Sequence, residues 1–352
     1  SAAAVMAKRC MMDRAKFEAD EHAAQDRIRA LYESKAQVNA DVSRPVQANA
    51  FSDDSYLSAD EQSLTDIPTK ELPISEVMPY FDWRMFLAIW GMKYGEELPD
   101  DPAVEKTLAD GKTVLERFRT RHEVTIQISE RILYAIREGQ DIKVKDGEAT
   151  FPMLRQETPD SKGRCLSLAD FVPSESYGPM GIFAVSIQTS HGPECTCGCH
   201  PKGYMHPQVP GGNIVRPSEG TKDYDSMMDR AVRVTLAEAA SLWLDDKLKS
   251  ELHPADGRTV NVVKPAAGYA SCPDHTLKKD IMALLPDASR LGISFTESYA
   301  MIPDASICGF IFLHPEASYP EIRHISERQY NDYRIRRGMS EEQAEQFLGH
   351  LR

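Results

Sequence analysis

The residues with most to offer chemically lie between Val260 and Tyr319. Residues 260–263 form a mostly β-branched run, and Lys264 then opens the loop K-P-A-A-G-Y, residues 264–269. Ala266, Ala267 and Gly268 carry almost no side chain, so backbone amides and carbonyls stay open to a flat ligand. Tyr269 follows with a π-face and a hydroxyl. Taken alone, the same loop also reads as a plain strand-to-helix connection. Glu238 is the next candidate. Met227, Ala231, Val234, Glu238 and Leu242 recur at helical spacing, and a carboxylate inside such a stripe is costly unless it is paired or meets a positive ligand. A carboxylate at the edge of the stripe, turned to solvent, is the other reading. A third cluster is E-C-T-C-G-C-H, which places Cys195, Cys197, Cys199 and His200 together, with His206 close behind. Four such ligands could close a tetrahedral zinc site. The C-x-C-x-C spacing differs from the usual C-x-x-C knuckle, however, and a solvated insertion loop is the competing reading.

The elements that must position these groups can be read from periodicity. Residues 4–36 form a long charged helix rich in helix formers. Residues 37–69 form a polar linker or surface-wrapping arm. Globular structure begins near Leu72, with a short helix over 73–80 and an apolar helix over 83–92 whose N-cap is Asp82. An amphipathic helix covers 102–122. Strands follow at 124–128, 132–136 and 142–144, then at 181–188. Residues 190–222 show no periodicity, and 223–251 is the longest helix of the domain. Beyond it come a helix over 276–285, a short strand over 322–325, and helices over 326–337 and 340–348. The last opens S-E-E-Q, with Ser340 as the capping serine.

Several short motifs stand in order along this framework. They are P-Y-F-D-W (79–83), Q-D-I-K-V (140–144), L-R-Q-E (154–157), L-A-D-F-V (168–172), G-I-F-A-V (181–185) and D-Y-D-S-M-M-D-R-A (223–231). After the 264–269 loop come C-P-D-H-T (272–276), T-E-S-Y-A-M (296–301) and A-S-I-C-G (305–309). Each is weak alone. The ordered set, over roughly residues 72–351, resembles the C-terminal activation (reactivation) domain of cobalamin-dependent methionine synthase.

The resemblance implies an α+β fold: a single mixed domain with a bent antiparallel sheet and surrounding helices, preceded by a long N-terminal helical arm. Residues 1–70 would then be the arm that joins a cobalamin-binding module, and residues 71–352 the activation domain with an insertion at about 190–222. It implies S-adenosylmethionine as ligand, contacted by Asp82, Glu238, Lys264, Ala266, Gly268, Tyr269 and Tyr319. Tyr319 would stand at the boundary between methyl donor and corrin. The implied chemistry is reductive methylation of cob(II)alamin carried by the partner module, with flavodoxin or a similar electron donor. No residue of the domain would act as nucleophile or general base, so the domain would be part of a methyltransferase (5-methyltetrahydrofolate–homocysteine methyltransferase) and inactive alone. One departure matters: the family has arginine where this chain has Lys264, a point charge in place of a bidentate fork. The alternative is a module that docks on cobalamin and reductase partners but has lost ligand binding.

Composition sets the outer bounds. The 352 residues carry a formal net charge of −13, which argues against nucleic acid or an anionic membrane as the main partner. Hydrophobic residues make up 41% and charged residues 27%, as in an ordinary globular chain. Seven cysteines over this length are too few for a disulfide scaffold and suit a reducing cytoplasm. The longest apolar runs fall far short of a membrane span.

Overall fold

The computed structural model describes residues 22, 51, 55–57, 64–92, 101–189, 220–252, 257 and 259–352, with the backbone alone at 220–223. The chain divides into residues 1–47 and 48–352. The expected helix over 4–36 lies outside the described residues apart from the helical His22. So does most of the 190–222 stretch.

Within 48–352, strands and helices appear in the order β1 (Ile67–Leu72), α1 (Ile74–Val77), α2 (Trp83–Ile89), α3 (Pro102–Arg121), β2 (Val124–Glu138), β3 (Asp141–Val144), β4 (Thr150–Pro152), β5 (Gly178–Thr189) and α4 (Gly220–Glu251). They continue with β6 (Asn261–Val263), α5 (Leu277–Leu284), β7 (Ser294–Phe295), β8 (Met301–Ile302), β9 (Ser306–His314), α6 (Glu327–Arg337) and α7 (Glu341–Leu348). Seven strands make one sheet in the order β4-β3-β2-β5-β9-β6, with β1 added beside β2. Every pairing within it is antiparallel. The fold is therefore the expected α+β mixture.

Alternation along the strands builds two cores. On β5, Phe183, Val185 and Ile187 enter the core shared with α2, α3 and α4, while Met180, Ile182 and Ala184 enter the core on the opposite face. Residues on both faces of β5 are buried because helices or loops cover both, so the strand reads as a nearly continuous apolar run. A third core, with Leu154, Ile322, Tyr330, Tyr333 and Phe347, seats α6 and α7.

Two expected elements change, at 124–136 and 322–325, and the polar arm expected over 37–69 runs into the sheet, since β1 begins at Ile67 and pairs with β2. The strands expected at 124–128 and 132–136 are one strand, β2, paired without a break from Val124↔Thr189 to Ala135↔Gly178. The polar triplet Ser129-Glu130-Arg131 suggests a break, yet Ser129 and Glu130 are fully buried within the ladder. Residues 296–301 form the turn and entry of the β7–β8 hairpin, with Tyr299 at φ +57°, and only Met301 lies in a strand. Residues 322–325 form no strand. They are held by Ile322 N–H to Ala270 O at 2.8 Å and Ile325 N–H to Leu351 O at 2.9 Å. The caps fall where expected: Asp82 accepts from Arg84 N–H at 2.8 Å, and Ser340 forms a capping box with Gln343.

Candidate functional site

The 264–269 loop runs directly on from the edge strand β6 and lies flat on β9. Phe310 N–H donates to Pro265 O at 3.1 Å, Ala267 N–H donates to Cys308 O at 3.1 Å, and Ala266 forms a bridge with Gly309. Such contact is possible because residue 309 has no side chain. A Cβ there would meet Pro265 O at 2.3 Å and Ala266 Cα at 2.8 Å. Gly268 holds φ +93°, and the His275 ring stands 2.6 Å from where its Cβ would be, so glycine is required twice over. The loop closes with Gly268 N–H to Cys272 O at 2.7 Å and Cys272 N–H to Tyr269 O at 2.8 Å. These bonds turn Tyr269 outward, where it is 68% exposed. Gly309→Ala is expected to lift the loop from its ledge, at a cost of about 1–3 kcal/mol. Urea unfolding checks this; an unchanged midpoint would show that the ledge can give way freely.

Helix α4 faces this loop. The stripe expected to bury it is only partly correct, because Met227 and Leu242 are exposed. The buried face is wider: Met228, Ala231, Val232, Leu236, Ala239, Ala240, Leu244 and Leu248 all enter the core. Glu238 stands at the margin of that face and is half-buried. Burial pushes its carboxyl pKa up, opposed by the charge of Lys264.

Lys264 is placed differently from the sequence expectation. Its side chain is only 5% exposed and turns inward under α4, with Nζ 2.8 Å from Asp245 Oδ1. Nζ also donates to the Ser241 carbonyl and lies 5.5 Å from the centre of the Phe183 ring. Burial lowers its pKa, and Asp245 opposes the shift. Asp245 and the Ser241 carbonyl are partners that sequence reading missed. The signal was present, since 238, 241 and 245 share one helical face.

Tyr319 completes the group. Its hydroxyl accepts from Lys264 N–H at 2.9 Å, its ring is half-exposed, and burial raises its pKa. It lines a cleft of about 440 Å³ with Asn261, Arg164 and Glu316. The structure thus gathers Glu238, Lys264 and Tyr319 around the loop that carries Ala266, Gly268 and Tyr269. Asp82 caps α2, and no hydrogen bond or ion pair joins its carboxylate to the others. The segment beside it docks on α4 through Tyr80 Oη to Asp246 at 2.8 Å. Among the described residues no cluster of His, Cys, Asp or Glu could hold a metal ion. Cys195, Cys197, Cys199 and His200 lie outside them.

The fold as a whole is similar to that of the MetH reactivation domain. The crystal structure of that domain bound to AdoHcy superimposes with a TM-score of 0.68 and 24% identity, covering 86% of this chain and 95% of that one. The sequence matches the vitamin B12 dependent methionine synthase activation domain over residues 73–196 and 214–338, and this chain belongs to that family. Among the described residues no helix is long and apolar enough to cross a membrane.

Proposed function

We propose that this chain is the reactivation module of a cobalamin-dependent methionine synthase and binds S-adenosylmethionine between α4 and the 264–269 loop. One observation carries the reading. Glu238 presents a half-buried carboxylate that no hydrogen bond reaches among the described residues, beside a loop of near-naked backbone and two exposed tyrosines. A desolvated, unpaired carboxylate is costly, and a cationic ligand offsets that cost.

S-adenosylmethionine is a cation at its sulfonium and its ammonium, with a flat adenine that suits the backbone at Ala266 and Gly268. Tyr269 and Tyr319 offer aromatic faces or hydroxyls. Asp82 has a second carboxylate oxygen free of its capping bond. When bound, S-adenosylmethionine supplies the methyl group for reductive methylation of cob(II)alamin on a partner module, with one electron from flavodoxin or a similar donor. The work of this chain is then to hold and orient the donor, which is catalysis by proximity. Its setting is the cytoplasm, with the remaining modules on the same or another chain.

A second reading, a docking module without ligand capture, is favoured by the inward turn of Lys264. Calorimetric titration separates the two. Saturable binding of S-adenosylmethionine, weakened at least tenfold by Glu238→Ala, supports the first. No heat at millimolar ligand sinks it and leaves the docking module.

A further inference from the structure

An S-adenosylmethionine site has two charges to manage at the amino-acid end, an ammonium and a carboxylate. Around the 264–269 loop the described side chains are unevenly matched to that task. Glu238 is an acid without a partner, whereas the one cation of the group already has two. Lys264 Nζ sits 2.8 Å from Asp245 and donates to the Ser241 carbonyl, with the Phe183 ring beneath it. To reach a ligand it would have to abandon Asp245, whose Oδ1 is buried although the side chain is 20% exposed. A point-charge contact to a partly solvated ligand carboxylate returns less than that exchange gives up. Among the described residues, Lys162 and Arg164 beside Tyr319 are both engaged by Glu316, and Arg164 also by Asp160, while Lys278 beyond the loop donates to Tyr299 O and stands 3.0 Å from His275 Nδ1.

We propose that Lys264 is a buried strut tying the ligand loop to α4, and that the site recognises its ligand by the ammonium and sulfonium while leaving the ligand carboxylate unclamped. The inference rests on the reading above and deepens it. The strut also orients the site, because Lys264 N–H fixes the Tyr319 hydroxyl at 2.9 Å. The predicted specificity is for adenosyl sulfonium compounds bearing an amine, whether or not they carry a carboxylate. Decarboxylated S-adenosylmethionine, one charge more positive, should suit an acidic chain of net −13 at least as well.

The test is calorimetry of the 352-residue chain with S-adenosylmethionine and its decarboxylated analogue, repeated on Lys264→Met. In the wild type the two affinities are expected to agree within threefold, or to favour the analogue. In Lys264→Met both are expected to fall by the same factor, since a strut serves both ligands alike. A loss of tenfold or more on decarboxylation would show a carboxylate clamp and overturn the inference, leaving the function intact. That comparison needs no variant, so it stands even if Lys264→Met fails to fold. Absence of binding by either ligand would overturn the function itself, and the inference with it.

Discussion

Between pH 5 and pH 7 the protein is expected to lose stability, and Glu130→Gln is expected to abolish that loss. Glu130 is fully buried on β2, and neither carboxylate oxygen has a hydrogen-bond partner. Its nearest countercharge is Lys247 at 3.6 Å, itself shared with Glu251 at 3.0 Å. Burial pushes its pKa up to about 7, with Lys247 pulling down and Glu251 and Asp66 pushing further up. In an unfolded chain the same carboxyl titrates near 4.5. The folded state therefore holds the extra proton between those values. Its contribution is fully present below about pH 4.5 and is lost as pH rises through about 7. A shift of that size is worth about 3 kcal/mol. The amide of Gln keeps the shape and carries no charge at any pH. Urea unfolding at pH 5 and pH 8 reads the difference; a slope unchanged in Glu130→Gln would assign it to other groups.

The second large effect concerns Arg155 and Asp170. Arg155 grips the Asp170 carboxylate with two bonds of 2.6 Å, and both side chains are buried. Asp170 also accepts from Ser167 N–H at 3.0 Å, and Arg155 donates to Cys165 O at 2.7 Å and Gln140 at 3.1 Å. Asp170→Ala strands a buried guanidinium, with Arg137 at 3.5 Å left poorly compensated as well. The expected cost is about 3–5 kcal/mol. Replacing both partners with apolar residues of similar size should cost far less, because no charge is left behind. Chemical unfolding of the single and double variants decides it. A single variant within about 1 kcal/mol of wild type would mean that water reaches the pair.

This pair also shows what was legible in the sequence. L-R-Q-E and L-A-D-F-V stand out as ordered markers, yet nothing in either says that the arginine of one grips the aspartate of the other. Such long-range pairings are set by the fold. The 264–269 loop was legible for a local reason, since its small residues and Gly268 state their own backbone requirement. Ser340 and Asp82 were legible as caps for the same reason. The continuity of β2 was hidden because Glu130 looks like a surface residue until α4 brings Lys247 over it. The wide buried face of α4 was hidden because alanines fill much of it, and a stripe drawn through the larger side chains picked out Met227 and Leu242. The direction of Lys264 could not be read at all. It depends on how closely α4 crosses β6 and β9, a distance fixed by residues far from the loop.

The ledge on β9 has a kinetic consequence. Gly181 pairs with Ile311 and Ser186 with Ser306, so β9 reaches its place only after the whole chain from β5 through α4 and α5 has been looped out and returned. Loop closure of that span carries its entropic cost before any contact repays it, and sheets made this way are slow to assemble. The flat backbone of residues 264–269 has nothing to lie on until that late strand arrives. During synthesis the sheet from β1 to β5 and the helix above it can begin to collapse, but the ligand loop must wait for residues made well after it. Assembly of the binding surface is thereby coupled to completion of the domain.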